Sequence, residues 1–387
     1  MRGSSMTSRE RILTAVCLEV PDRVPVCPRG VQPLRQIYGG EWPSASDMIR
    51  ASRDFDFDCV INWSPGEKLA PDVRRFETTE RTPEGIPVRL TVLESKAGRL
   101  ERRQFAAGPM TEGAFASSLT SATATGAMVK NEADLEILES LYVPTQPEDV
   151  EPFVRLENEI DSCGIVQGEV ANPINLAVRD VGVENLMMMC MDDSEFVFRL
   201  LAVYQRMCLW QIEALLDAGA KIIYSDSVWC TADLWSPQQI EAVIAPLIRE
   251  QTRLVHEAGA YYHLFMDGNC MAALERIANM GVDILSPLET PPSADANVAE
   301  AKRRIGNRVC LWGGVNAYWD IMHGSVGRVR EAVREAIEAG APDGGYVLST
   351  ADSIYEPCPL ENVREFFRTG REFGRYSPAN GTVTIDC

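Results

Sequence analysis

The stretch SPQQIEAVIAPLIREQTRLVHEAGAYYHLFMD (Ser236–Asp267) decides the fold. Apolar residues recur at Ile240, Val243, Ile244, Leu247, Ile248, Leu254 and Val255. That spacing lays one apolar stripe along a helix and predicts an amphipathic helix over Gln238–Glu257. Ser236-Pro237 supplies a cap and a first-turn proline, and Gly259 a left-handed stop. The chain then switches to Tyr261–Phe265 (YYHLF), a short run apolar on both faces, as a parallel strand buried beneath helices must be. The phrase helix, Ala-Gly or Met-Gly, strand recurs at Asp217–Ala220 and Asn279–Val282.

Working outward, similar short runs lie at Arg23–Cys27, Asp58–Asn62, Ile165–Gly168, Lys221–Ser225, Asp283–Ser286, Val309–Gly313 and Gly345–Ser349. Eight strands, most followed by a helix such as Met271–Asn279 or Val326–Glu338, predict an α/β TIM (β/α)₈ barrel rather than an open sheet. No GxGxxG follows a strand and no GxxxxGK[ST] occurs, which removes the usual dinucleotide and P-loop signals. Residues 1–5 (MRGSS) read as an artificial extension, and 6–387 as a single unit. Polar, turn-rich residues from about 76 to 145 break the rhythm. They are expected to form a β-rich insertion after the second strand, either a hairpin or lid over the barrel mouth or a surface excursion.

A net charge of −19 argues against nucleic acid as a partner, since phosphate would be repelled. No apolar run approaches the roughly 20 residues needed to cross a bilayer. Eleven cysteines are scattered with no CxxC, which fits reduced thiols and a cytoplasmic location. Oligomeric state is not legible; a homodimer is compatible with the sequence.

In such a barrel the C-terminal ends of the strands line the site. Those positions carry Asn62, Glu169, Asp226, His263, Asp267, Glu289, Asn316 and Asp352, a ring rich in carboxylates with one histidine. The chain has three histidines; His256 falls on a charged helix face and His323 in a loop, which leaves His263 as the candidate metal ligand or general acid/base. Asp226, with Asp233 and Glu241 downstream, has the chemistry of a metal ligand, a cation anchor or a proton relay. Glu241 serves equally as a first-turn charge favoured by the helix dipole. Trp229, Trp235, Tyr262 and Phe265 are candidate walls of an apolar pocket, with barrel packing as the commoner fate of such rings.

Several segments resemble the uroporphyrinogen decarboxylase superfamily: TSRERILTAVCLEVPDRVPV (Thr7–Val26), MGVDILSPLE (Met280–Glu289), RVCLWGGVN (Arg308–Asn316) and GGYVLSTADSIYEPCPLENV (Gly344–Val363). The decarboxylases carry an arginine-rich RQAGRY-type segment after the first strand that binds porphyrin carboxylates. Here CPRGVQPLRQIYGGEW (Cys27–Trp42) keeps Arg29 and Arg35 without the motif. The resemblance therefore implies the other branch, the corrinoid-dependent methyltransferases and O-demethylases. Members that methylate coenzyme M hold zinc with an HxC pair and a distal cysteine. In this sequence His263 remains, Phe265 replaces the partner cysteine and Asp352 stands where the distal cysteine would be.

The expectation is a methyltransferase that moves a methyl group from a small methylated substrate (a methyl ether or quaternary amine) to a corrinoid (cobalamin) on a partner protein. His263, Asp226, Glu169 and Glu289 would be catalytic. Asn62, Trp229, Trp235, Tyr262, Phe265 and Asn316 would bind substrate, and His263, Asp226, Asp352 and Glu241 would hold zinc with harder ligands than thiolate. The alternatives are a lyase acting on a carboxylate substrate and a paralogue without catalysis.

Overall fold

A computed structural model of the protein describes residues 6–105 and 124–376. Strand β1 (Cys59–Trp63) opens a parallel sheet. Strands β2 (Arg74–Arg81), β3 (Pro87–Ser95), β4 (Gly98–Phe105) and β5 (Ala124–Gly126) form an antiparallel sheet of their own. Strands β6 (Gly164–Ala171), β7 (Ile222–Asp226), β8 (Tyr261–Phe265), β9 (Ile284–Leu288), β10 (Cys310–Val315) and β11 (Tyr346–Thr350) then return to the first sheet in chain order.

The edges of that sheet meet at the extended segment Arg23–Cys27. Leu348 N–H donates to Pro25 O (2.9 Å) and Cys27 N–H to Leu348 O (2.9 Å) on one side; Asp58 N–H donates to Val26 O (2.9 Å) on the other. Pro25 has no N–H, so this stave makes isolated bridges rather than a full ladder. Asp58, 0% exposed, compensates by accepting from Val26 N (2.8 Å), Arg11 Nη1 (2.7 Å) and Arg23 Nη1 (2.6 Å). With this eighth stave the molecule is a TIM barrel. Each observed strand lies within three residues of its expected position.

The local signals act as their chemistry requires. Ser236 and Gln239 form a reciprocal capping box at the start of the helical run to Glu257, which contains one π-type turn at Ile240–Ile244. Gly219, Gly259 and Gly281 take φ of +93°, +68° and +85°, the left-handed exit that glycine makes cheaply. Gly340 differs. It is the last residue of helix Val326–Gly340, and a Cβ there would stand 2.5 Å from the Tyr346 ring, so glycine serves close packing instead.

Inside the barrel, Ile165, Ile222, Ile284, Cys310 and Val347 pack with Ile12, Ala15 and Val16 of the N-terminal helix Ser8–Val16. That helix seals the N-terminal end of the barrel, and the polar residues that follow on the same strand faces lie nearer the mouth. The expected insertion is the β2–β5 sheet plus helix Glu132–Leu141, tied to the outer helix Pro173–Val181 by Arg102, whose Nη1 donates to the buried Asp180 at 2.7 Å. No residue of β2–β4 or Gly126 borders the barrel cavity described below. Residues 106–123 of the expected insertion, and 1–5, lie outside the described residues. Among the described residues no helix is long and apolar enough to cross a membrane, and ten cysteines are free thiols.

Candidate active site

The mouth of the barrel leads into a cavity of about 410 Å³. Aromatic rings of Tyr224, Phe265, Trp312 and Trp42 wall it, with Asn62, Gln167, His263, Ser286, Thr350 and Arg29 as its polar lining. Strand alternation explains the selection: Gln167, Tyr224, His263 and Ser286 sit on inward faces, whereas Tyr262 points the other way and donates its hydroxyl to Gln251 on the outer helix at 2.6 Å.

His263 is 3% exposed and held at both ring nitrogens. Nδ1 lies 2.9 Å from Gln167 Oε1 and Nε2 lies 2.6 Å from Ser286 Oγ. The amide oxygen accepts only, so Nδ1 carries the proton and Nε2 accepts from the serine hydroxyl. Burial, reinforced by the Arg29 cation, pushes the imidazole pKa down to about 3. Ser286, His263 and Gln167 have the outline of a nucleophile, base and orienter, but a base this weak does not take a proton from serine at neutral pH. The imidazole is a fixed, neutral wall, edge-on to Tyr224 (5.1 Å between ring centroids) and tilted against Trp312 (5.0 Å).

Arg29 enters from the loop after the Arg23–Cys27 stave. Its guanidinium carbon stands 3.6 Å over the Phe265 ring, and Nη1 is 4.0 Å from Asp267 Oδ1. Burial works against this charge, but Tyr224, Asp267, Asp352 and Asp226 outweigh it and keep the guanidinium protonated. The surrounding carboxyls respond in the opposite sense. Burial and then Asp226 raise Glu169 to about 7, with Arg29 opposing. Burial also raises Asp267 to about 7, against the pull of Arg29, and shifts Asp226 and Glu289 upward.

A raised carboxyl pKa costs folding stability as pH climbs from the unfolded value to the folded one. For Glu169 that window runs from 4.5 to about 7. Glu169→Gln is therefore expected to stabilise the protein at pH 8 by roughly 1–3 kcal/mol and to have little effect at pH 4, measured by urea unfolding at the two pH values. Equal effects at both would contradict the assignment.

Of the residues singled out from the sequence, Asn62, His263 and Phe265 border the cavity. Glu169, Asp226, Glu289 and Asp352 do not form its wall. Glu169, Asp226 and Glu289 surround Arg29 electrostatically, as does Asp352, whose Oδ1 accepts from Ser353 N at 2.6 Å. Four expected substrate contacts go elsewhere. Tyr262 faces the helical layer; Trp235 donates Nε1 to Trp229 O (2.8 Å), and both rings are buried in the loop after β7; Asn316 caps the turn after β10 by accepting from Tyr318 and Trp319 N–H. Gln167, Ser286 and Thr350 were not singled out, and Arg29 was noted only as a remnant of the decarboxylases' arginine-rich segment. The available signal was a polar side chain inside a strand otherwise apolar on both faces, as in IVQG and DILS.

The uroporphyrinogen decarboxylase (URO-D) profile matches residues 118–373. The chain belongs to the uroporphyrinogen decarboxylase family. Among relatives within this family, uroporphyrinogen decarboxylase of Microcystis aeruginosa is 26% identical over 87% of this chain and 89% of its own. Methylcobamide:CoM methyltransferase MtaA of Methanosarcina barkeri is 23% identical over 96% of this chain and 99% of its own. A solved methyltransferase from Methanosarcina mazei superposes with a TM-score of 0.63 at 19% identity, covering 95% of this chain and 99% of that one, which supports the fold.

The zinc centre expected from the family resemblance is not assembled here. Both nitrogens of His263 are engaged by Gln167 and Ser286, and Phe265 presents a ring under the Arg29 guanidinium. Glu241 is 47% exposed and paired with Arg249 at 2.7 Å. Among the described residues no three His, Cys, Asp or Glu side chains group as metal ligands. Aromatic carbon and two occupied imidazole nitrogens do not fit the donor set zinc requires.

Proposed function

We propose that this family member transfers a methyl group from a small methylated substrate, a methyl ether or a quaternary amine, to a corrinoid on a partner protein. The observation that carries this reading is the ring-walled cavity of about 410 Å³ at the barrel mouth. It lies at the small end of the ~300–1,000 Å³ that drug-sized ligands fill. A porphyrinogen with eight carboxylates is far larger. Near-complete alignment with the methylcobamide:CoM methyltransferase supports the same branch.

When bound on its partner, the corrinoid supplies a nucleophilic cobalt that accepts the methyl group. The chain's own task is to hold the donor and stabilise what the methyl leaves behind. Tyr224, Phe265 and Trp312 grip the apolar part, and His263, fixed by Gln167 and Ser286, offers an unchanging face. For an ether, the carbon–oxygen bond breaks with its electron pair remaining on oxygen. Glu169, which burial and then Asp226 raise to about 7, is the source of the proton for that oxygen; it does not itself border the cavity, so the proton travels through water rather than by direct contact.

The test is a panel of methyl ethers and quaternary amines with cob(I)alamin, followed by the spectral change at cobalt. Enzyme-dependent methylcobalamin formation with one donor class is expected. Arg29 favours a second reading, a lyase acting on a small carboxylate; carbon dioxide release without cobalt methylation would select it. Neither product from any donor would leave the barrel without this chemistry.

A further inference from the structure

A second cavity, of about 590 Å³, lies in the helical layer. It runs between helix Glu151–Ile160, with the turn before it, and the C-terminal part of helix Ser194–Asp217. It shares no residue with the barrel cavity. Pro147, Val150, Val154, Trp210 and Ala214 give this groove an apolar floor, and Val154 is 40% exposed. Apolar surface left in water along a groove is surface that a partner gains by covering.

Trp210, Glu213, Ala214 and Asp217 fall at i, i+3, i+4 and i+7, so one helix face carries both the ring and two carboxylates into the groove. Two local rules are broken on that face. Glu213 and Asp217 are like charges one turn apart, which costs helix stability. Asp217 also stands in the last turn, where the helix dipole favours a cation, and that turn holds no basic residue. Among the described residues neither carboxylate has an ion pair or a hydrogen bond. Of the cations close by, Arg155 is paired with Glu151 at 3.3 Å, and Arg206 lies over the Trp210 ring at 5.7 Å. Elsewhere the same kind of exposed helix acid is compensated: Glu257 by Arg253, Glu300 by Arg303 and Glu372 by Arg368. The groove is left without its counter-charge.

We propose that this groove docks a basic amphipathic segment of a partner protein, which lays apolar side chains on Val154 and Trp210 and sets lysine or arginine against Glu213 and Asp217. Carboxylates one turn apart match basic residues one turn apart on an incoming helix, the recognition mode of a helix laid in a groove. An arginine there also stacks on the indole. A second copy of this chain is a poor occupant, because a net charge of −19 opposes self-association. The surface carries a signature that an ordinary solvated face lacks: reversing a groove carboxylate should help the free protein and harm the complex.

The experiment titrates the full chain into three fluorescently labelled peptides and follows anisotropy: an amphipathic leucine–lysine helix, its leucine–glutamate counterpart and a glycine–lysine peptide of the same charge. The leucine–lysine peptide is expected to saturate at one to one, at least about tenfold more tightly than either of the others, and to weaken as salt is raised. Glu213→Lys and Asp217→Lys should each lose roughly tenfold or more in affinity, and Trp210→Leu should lose affinity without a change in charge. Asp217→Lys should unfold at the wild-type temperature or higher, because it removes the like-charge pair and suits the helix end. Asp217→Asn should move both readouts the same way by less. The inference is overturned if the leucine–lysine peptide does not saturate, if the glycine–lysine peptide binds as tightly, or if the two lysine variants bind like wild type. Sedimentation velocity tests the other occupant: a wild-type dimer that Asp217→Lys dissociates would assign the groove to a second copy and overturn the partner.

Discussion

Exchange of His263 for alanine is expected to lower methyl transfer by roughly 10²–10³-fold and to destabilise the fold by about 3–5 kcal/mol. The ring fills space between Tyr224 and Trp312, and its loss leaves Gln167 Oε1 and Ser286 Oγ buried and unmet. Gln167 then loses the contact that orients its amide. His263→Asn restores an N–H toward Gln167 and should recover part of both losses, which a purely space-filling role would not allow. Linkage offers a second readout. The folded imidazole pKa is depressed from 6.5 to about 3, so its contribution is full above pH 6.5 and lost as pH falls towards 3. At about 1.4 kcal/mol per pKa unit the whole window amounts to roughly 5 kcal/mol, of which roughly 3 falls above pH 4. Glu169 acts with the opposite sign between 4.5 and about 7, so the measurement is the difference between wild type and variant in urea unfolding free energy from pH 7 to pH 4. The variant should lack the His263 component. An identical pH slope in both proteins would refute the neutral, buried assignment.

Asp58→Ala should cost about 3–5 kcal/mol, the usual loss when one partner of a buried ion cluster is removed. Asp58 bonds the Val26 N–H of the stave that Pro25 keeps from forming a full ladder, and it pairs with Arg11 and Arg23. Deleting it takes the carboxylate partner from Arg23 and one of two from Arg11, which keeps Asp22, and loosens the eighth stave. The same stave leads into Arg29 on the cavity wall, so methyl transfer should fall along with the urea midpoint. Asp58→Asn preserves the shape and should lose less in both. A wild-type midpoint for Asp58→Ala would show that the barrel closes without this cluster.

Much of the fold was legible because each repeat is written locally. The stretch around His263 carries its own cap, stripe, glycine stop and buried strand, and these signals depend on neighbours within one or two turns. The Arg23–Cys27 stave was recognised from the same pattern, although its bridges are too sparse for a regular strand. The site was legible only in part. His263 stood out by rarity and position, and Phe265 only as one of four aromatic candidates for a pocket wall. Tyr262, adjacent to both, was assigned to the pocket against that same alternation, and its hydroxyl meets Gln251 instead.

The sequence by itself determined the eight-stave barrel and the presence of acids and one histidine at the strand ends, because helix periodicity, glycine stops and strand hydrophobicity are short-range properties. Only the tertiary structure decided which of those groups meet. It placed Arg29 over Phe265 and engaged both nitrogens of His263 with Gln167 and Ser286. These contacts join side chains 96 and 23 residues apart for His263 alone. No local spacing encodes them. They arise because a closed barrel brings the inward faces of several strands around a common axis, where burial then sets which carboxyls rise and which imidazole stays neutral.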